Sequence, residues 1–466
     1  MPGKIKNRDG LLSHGDVESR RVALDITEKV LRRLDSRERI KSIMRLDGDI
    51  LTIGAKSWDL TKKKRIYLLG AGKACNHMAM AVDEILGDRL IRGLAIVKLS
   101  EAADSFRRTD VYVGGHPLPN QEGYRACLEM LKIVDQAGPG DLFIVLISGG
   151  SSALMSCPIE GISLDEEIAV TDVMLKSGAD IFEINAIRRH ISRLNGGMLA
   201  KRVEERGAEL IGLGISDGIG SPATGDIGVP YAKYRGTPMG PDQTTLDEAR
   251  RVIRDYGVAD RLPKRVVEYL MRAGPERETP KAFPNNTYYL INTIPDSCIY
   301  AKEVSEAMGV PALILSSFLE GESREVGKVF ASIAREIQAY ANPLPAPCVI
   351  LASGEATTAI SDNSSIKGHG GPSQEETLAF AIAAGKTSGA CLLSIDSEGT
   401  DGTTPAAGGL TDSRSLQAAR AGGVDVYRAL REHASHEALN RIGDTVLTGN
   451  TGTNLCDFNL MYVPKP

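Results

Sequence analysis

The sequence predicts an α/β protein of two domains, each made of strands alternating with helices. Three observations lead there. Short, continuous apolar runs recur along the chain, each closing in glycine or small polar residues and followed by a helical pattern, as expected of a parallel sheet covered on both faces. The alternation halts at a polar, proline-punctuated stretch, GPERETPKAFP (274–284), and then resumes. The length of 466 residues exceeds what a single hydrophobic core usually fills. The break sets the domains at 16–280 and 285–466.

In chain order, residues 16–46 place Ala23, Ile26 and Val30 on one helical line with Leu24, Leu31 and Leu34 beside it, which predicts an amphipathic helix. Strands are expected at 66–72 (IYLLGAG), 94–100, 111–117, 142–150 (LFIVLISGG) and 210–217, with helices over 124–137 and 182–206. Residues 218–245 hold too much glycine and proline for regular structure and are expected to form a functional loop or lid. A helix pair (246–273) precedes the boundary. The second domain is expected to carry strands at 287–293, 312–317, 348–360, 390–396 and 458–463, and helices at 323–341, 374–386 and 413–431.

Composition narrows the function. Lys and Arg number 55 against 60 Asp and Glu, so the chain lacks the net basic footprint of a nucleic-acid binder. No apolar run approaches the roughly 18 residues of a membrane span. The start, MPGKIKNRDGLLSHGDVES, has no apolar segment after its charges, so a cytoplasmic protein is expected. Seven dispersed cysteines with no C-x-x-C pair point to reduced, buried thiols and not to a disulfide framework or zinc site.

Glycines at the carboxyl ends of predicted strands mark where a doubly wound fold binds ligands. GAGKA presents Gly70, Gly72 and Lys73 between a strand and a helix, a setting in which backbone N–H groups and an ammonium can hold an anion. ISGGSSAL offers a second such turn in Ser148, Gly149, Gly150, Ser151 and Ser152. Two phosphate-cradling turns on neighbouring strand ends suggest a polyphosphate. The dinucleotide fingerprint G-x-G-x-x-G fails at Cys75, the next strand ends in Lys98 and Ser100 without the acidic ribose partner, and no G-x-x-x-x-G-K-[ST] motif occurs, so NAD is disfavoured and a P-loop excluded.

Asn185, Arg188 and Ser192 fall on one helical face that could grip a carboxylate. Asp217 ends a strand where a base or metal-bridging group would sit. Glu355, Gln374, Asp401, Asn454 and Asp457 lie in or beside glycine-rich turns of the second half. His116 and His369 stand in similar turns, without metal-ligand spacing, and read as structural.

These segments resemble the class II glycerate kinases, or glycerate 2-kinases, some of which carry the name hydroxypyruvate reductase. The matches run in order: GAGKA (70–74), GGHPLPN (114–120), LISGGSSAL (146–154), INAIRRHISRLNGG (184–197), ISD (215–217), EGESREVG (320–327), SGEATT (353–358), GGPSQE (370–375), GTDGTTPAAGG (399–409) and TGTNLCD (451–457). The resemblance implies an N-terminal Rossmann-like domain, a smaller C-terminal MOFRL domain and an active site in the cleft between them. It implies ATP-dependent, Mg2+-assisted phosphorylation of the 2-hydroxyl of D-glycerate or a closely related hydroxy acid. Lys73 then meets the phosphates and takes part in catalysis, with Gly70, Gly72 and Ser148 to Ser152 binding ATP. Arg188 serves the substrate carboxylate or the moving phosphoryl, with Asn185, Ser192 and Glu355 on the substrate side. Asp217 activates the hydroxyl or holds metal, with Asp401 a second metal candidate. A homodimer is compatible with this reading.

Two departures stand out. The family's G-D-x-x-x-x-I-A-S-G-P-T after the SD pair is replaced by the loop at 218–245, and its G-R-G-G-R-N-Q-E becomes GHGGPSQE, without either arginine. Two alternatives remain open: an NAD(P)H-dependent hydroxypyruvate reductase and a non-catalytic nucleotide-binding relative.

Overall fold

The structure, a computed structural model, describes residues 3–101, 104–225, 228–230, 237–360 and 366–465. Residues 226, 227 and 231–236 of the expected 218–245 loop lie outside the described residues. The chain forms two compact units, one of Ile40–Ile215 and Asp226–Ile291, the other of Met1–Arg39, Ser216–Gly225 and Asn292–Pro466.

The first unit opens with a small antiparallel meander, β1 (Met44–Asp47), β2 (Ile50–Ile53) and β3 (Lys56–Asp59), which the sequence reading did not include. Its turns use Gly48 and Gly54, both at positive φ. The main sheet follows: β4 (Ile66–Ala71), β5 (Leu90–Val97), β6 (Thr109–Val113), β7 (Leu142–Ile147), β8 (Glu209–Ser216), the two-residue β9 (Val229–Pro230) and β10 (Thr287–Thr293). Their spatial order is β6-β5-β4-β7-β8-β10-β9. From β6 to β8 every pairing is parallel, and β9 pairs antiparallel with β10.

Numbering β4, β5, β6, β7, β8 and β10 from one to six gives the order 3-2-1-4-5-6 of a doubly wound nucleotide-type sheet, whose direction of winding reverses between β4 and β7. Both central strands are buried at every position, which explains their unbroken apolar runs. Tyr67 and Phe143 stack across them at 5.0 Å.

The helix expected over 182–206 is two helices, Ile181–His190 and Met198–Glu205. Gly196 and Gly197 lie between them at φ +64° and +79°, a conformation no helix interior accepts. Ser192 is therefore not on the helical face of Asn185 and Arg188. Its hydroxyl accepts from the backbone N–H of Leu194 and Asn195 at 3.2 and 3.0 Å, which shapes the turn.

The second unit is a mixed sheet of β11 (Ala312–Glu322), β12 (Cys348–Thr357), β13 (Cys391–Asp396), β14 (Gly408–Asp412), β15 (Thr445–Val446) and β16 (Asp457–Val463), in the order β11-β12-β16-β13-β14-β15. The last strand of the chain lies in the middle, antiparallel to both neighbours. Phe330, Phe380, Ile350, Leu392 and Met461 form the core between sheet and helices.

Residues 16–39, assigned by sequence to the first domain, belong to this unit. The amphipathic pattern is right, but it spans two helices, Val17–Leu34 and Ser36–Ile43. The anchor is Arg20, fully buried, whose Nε donates to Asp412 Oδ2 at 2.5 Å while Nη2 pairs with Asp444 at 2.8 Å. Segment 216–225 joins the same unit through Thr224, whose N–H and hydroxyl both donate to Asp296, at 2.9 and 2.8 Å.

Removing one member of a buried charge group strands the others, at about 3–5 kcal/mol. Arg20→Met is expected to lower the stability of the chain by that order in urea unfolding at pH 7. The arginine holds Asp412 below the ordinary carboxylate range despite burial. That contribution is complete above the unfolded value near 4 and fades as pH falls through the lower folded value, so the wild-type advantage should shrink in acid.

Candidate functional site

The site starts from two strand ends that touch. At Gly72 the backbone runs at φ +144°, and a Cβ there would fall 2.1 Å from Ser148 Oγ and 2.7 Å from Ser148 N. The turns after β4 and β7 are tied by three hydrogen bonds. Ser148 N donates to Ala71 O (3.2 Å), Lys73 N to Gly149 O (2.9 Å) and Ala74 N to Ser148 Oγ (3.0 Å). Helix Cys75–Leu86 receives no side-chain cap from its N-cap residue, Ala74, whose own backbone N–H is taken by Ser148 Oγ of the neighbouring turn.

Gly150, at φ +82°, lies under two side chains: a Cβ there would come 2.9 Å from the His116 ring and 3.2 Å from Lys73 Cγ. Lys73, Ser148, Gly149, Gly150 and His116 thus form one wall at the point where the strand order reverses. His116, read from sequence as structural, is part of it. Its signal lay in GGHPLPN, but nothing local said which strand end it would face.

The far end of the second turn is held from below. Arg188 Nη2 donates to Ser152 O at 3.1 Å, and Asn195 Nδ2 donates to the same oxygen and to Met155 O, both at 3.3 Å. Asn195 was not among the expected residues. Asn185 is half-buried on the helix that carries Arg188.

In the other unit, the half-buried Asp217 accepts from Asn454 Nδ2 at 2.9 Å, and its carbonyl accepts from Cys456 Sγ at 3.4 Å. Glu355 is exposed near the end of β12. Asp401 is not displayed to a ligand. Its carboxylate takes the N–H groups of Ser373 (3.2 Å) and Gln374 (2.9 Å) and the Gln374 side-chain amide (2.9 Å), which caps helix Pro372–Ala384. Gln374 also bonds to Thr404 and His436. Asp457 accepts from Ala356 N and Ser373 Oγ. Burial pushes the Asp401 carboxyl up to about 6 and, with Asp401 adding repulsion, Asp457 up to about 8.

Among the described residues no group of three or more His, Cys, Asp or Glu side chains is arranged to hold a metal ion. Magnesium on a nucleotide needs only one or two carboxylates, because phosphate oxygens and water complete its shell. Asp217 fits that demand. Asp401, committed to a helix cap, does not.

A doubly wound sheet with two interlocked glycine turns at its reversal, one of them bearing a lysine, defines an α/β protein of the nucleotide-fold class. Comparison with known proteins narrows the class. Residues 22–271 match a family described as a domain of unknown function, DUF4147, and residues 348–457 match the MOFRL family. The glycerate 2-kinase of Pyrococcus horikoshii is 33% identical over 442 residues, covering 94% of this chain and 96% of that one. A protein of Agrobacterium vitis called a putative hydroxypyruvate reductase is 33% identical over 399 residues, 86% of this chain and 99% of its own. The crystal structure of glycerate kinase from Thermotoga maritima superposes with a TM-score of 0.79 at 31% identity, over 95% of this chain and 99% of that one. The chain belongs to the glycerate kinase family.

Two outcomes follow from the geometry. Gly72→Ala forces a methyl into Ser148 and should cost about 1–3 kcal/mol in urea unfolding, because both the contact and the positive φ oppose it. The raised carboxyl of Asp457 gives a stability contribution that is complete below about pH 4 and is lost as pH rises toward about 8. Asp457→Asn should therefore flatten part of the fall in stability between pH 5 and pH 8; a fall as steep as in wild type would show that Asp457 does not titrate there.

Proposed function

We propose that this chain transfers the terminal phosphoryl group of ATP to the 2-hydroxyl of D-glycerate, or of a closely related small hydroxy acid, releasing ADP and, from D-glycerate, 2-phosphoglycerate. The observation that carries the reading is the pair of interlocked turns at the reversal of the strand order, in a chain that belongs to the glycerate kinase family. Phosphoryl transfer asks a protein for alignment and for charge neutralisation more than for covalent chemistry.

Lys73 supplies a point charge to the phosphates, with its main-chain N–H fixed to Gly149 O so that its side chain leaves from a set place. Gly70 and Gly72 keep the first turn free of side chains, and Ser148 to Ser152 offer their hydroxyls along the second, where the Ser148 and Ser151 N–H groups are spent on Ala71 O and Ser148 O. Arg188 takes the substrate carboxylate or the moving phosphoryl, with Asn185 beside it and the exposed Glu355 on the substrate side. Asp217 draws the proton from the attacking hydroxyl or holds Mg2+, which would shield charge between phosphate oxygens. Asp401 and Ser192 act at one remove, through the helix cap and the turn they build.

Two relatives with reductase names make hydride transfer the second reading. Against it, the third position of the dinucleotide fingerprint is Cys75, whose buried sulfur sits 2.5 Å from where a Gly70 Cβ would be.

With D-glycerate and MgATP the purified chain should release ADP, and Lys73→Ala should lower kcat by about 10²–10³ with unchanged unfolding behaviour. Oxidation of NADH by hydroxypyruvate with no ADP release would refute the kinase reading, and near-normal turnover in Lys73→Ala would remove that lysine from the site.

A further inference from the structure

Glu167 is a buried carboxylate on the helix packed against the one that carries Arg188. It sits on helix Leu164–Lys176, is 1% exposed, and its carboxylate makes no well-aligned hydrogen bond, the Ser156 hydroxyl and Arg188 being the polar groups that act on it. It shares a helical stripe with Val170 and Met174, which pack on Ile184 and Ile187 of the helix that carries Arg188. Arg188 is its complement: Nη2 is spent on Ser152 O, while Nε is buried without a partner.

We propose that Glu167 is a positioning residue for Arg188: its carboxylate is the buried counter-charge that holds the guanidinium against the end of the Ser148–Ser152 turn. The inference rests on the kinase reading, in which Arg188 handles the acid or the moving phosphoryl. Two unpaired buried groups of opposite charge on packed helices attract strongly because little water screens them. A guanidinium anchored by one carbonyl alone would be free to turn about that bond. With a carboxylate behind it, the fork has one orientation.

The arrangement makes the hold pH-dependent. Burial pushes the Glu167 carboxyl up to about 7, and Arg188 opposes that rise. The other groups facing it are Cys127 on helix Gln121–Asp135 and, against Cys127, Cys157; Arg189 acts on Arg188 from the same helix but is itself paired with Asp242 at 2.9 Å. Burial also pushes the Cys127 thiol up, so it stays neutral while Glu167 titrates. Above neutrality Glu167 is charged and grips Arg188. Below it the grip loosens.

Stability moves the opposite way. A carboxyl raised on folding contributes fully below its unfolded value near 4.3, and the contribution is lost as pH climbs toward about 7. One residue therefore ties better function to poorer stability across the same interval, a pairing that a merely structural carboxyl would not give.

The test uses the full chain, D-glycerate and saturating MgATP from pH 6 to pH 8.5. Wild type should gain severalfold in kcat/KM for the acid through neutrality. Glu167→Gln should lose that gain and fall about tenfold below wild type at pH 8, mostly in KM, while its urea-derived stability drops less steeply than wild type between pH 5 and pH 8, the part due to Asp401 and Asp457 remaining. Glu167→Asp keeps the charge and should restore part of the gain; if Glu167→Gln does not fold, a shift of the inflection in Glu167→Asp carries the test. A Glu167→Gln profile that overlays wild type, or an unmoved inflection in Glu167→Asp, overturns the proposal. Absence of phosphoryl transfer by wild type overturns the kinase reading instead, and the urea titration still reports whether Glu167 ionises there.

Discussion

Gly72 and Ser148 approach so closely that neither turn could keep its shape without the other. A strand-to-helix turn usually caps its helix with a side chain of its own. Here Ala74 cannot, and its own N–H is satisfied from the turn after the next strand over. Three cross-turn hydrogen bonds, each contributing about 0.5–1.5 kcal/mol, lock the two loops into one body. Lys73 and Gly150 inherit their places from that lock, and so does His116, which packs on Gly150. The sheet order matters for the same reason: only where winding reverses do two adjacent strands send their following helices to opposite faces and leave their turns free to meet.

Much of this was legible in the residues. Continuous apolar runs announce buried parallel strands, and glycines at their ends announce turns that something must approach. Lys73 and the SGGSS turn were visible on that ground, and the strand-versus-helix alternation gave both halves as α/β. What stayed hidden depends on distant pairings. Nothing local says that β16 enters between β12 and β13, or that the helix over 17–34 docks on the C-terminal unit through a buried Arg20. The split of the 182–206 helix did carry a signal, the NGG at 195–197, which long apolar spacing on both sides masked. Asn195, His116 and Glu167 are single polar residues in ordinary surroundings, and their partners come from other elements.

The second unit shows why dense polar motifs mislead. GGPSQE and GTDGTTPAAGG look like ligand loops, yet Asp401, Gln374, Ser373 and Asp457 satisfy one another around the start of helix Pro372–Ala384. Buried polar groups are expensive unless paired, so a cluster of them builds a network first. Carboxyls there sit high because the neutral form suits burial. The same network explains the fate of the arginine-free GHGGPSQE: Pro372 opens the helix, and His369 turns to Glu437 at 2.9 Å.

In the proposed kinase reading, the missing arginines leave the phosphates to Lys73 and Arg188. A nucleoside triphosphate brings three to four negative charges, and that reading sets against them Lys73 in the wall and Arg188, whose Nη2 donates to the Ser152 carbonyl. Point charges alone leave the anion under-neutralised. The remainder would fall to the dipole of helix Cys75–Leu86, which needs no counter-ion and contributes a fraction of a charge at fixed distance, since the N–H groups of Ser148, Lys73 and Ala74 are committed to the cross-turn bonds. Fixed dipoles stabilise a moving charge only if they do not reorient, so the rigidity of the Gly72–Ser148 contact is itself part of the electrostatics.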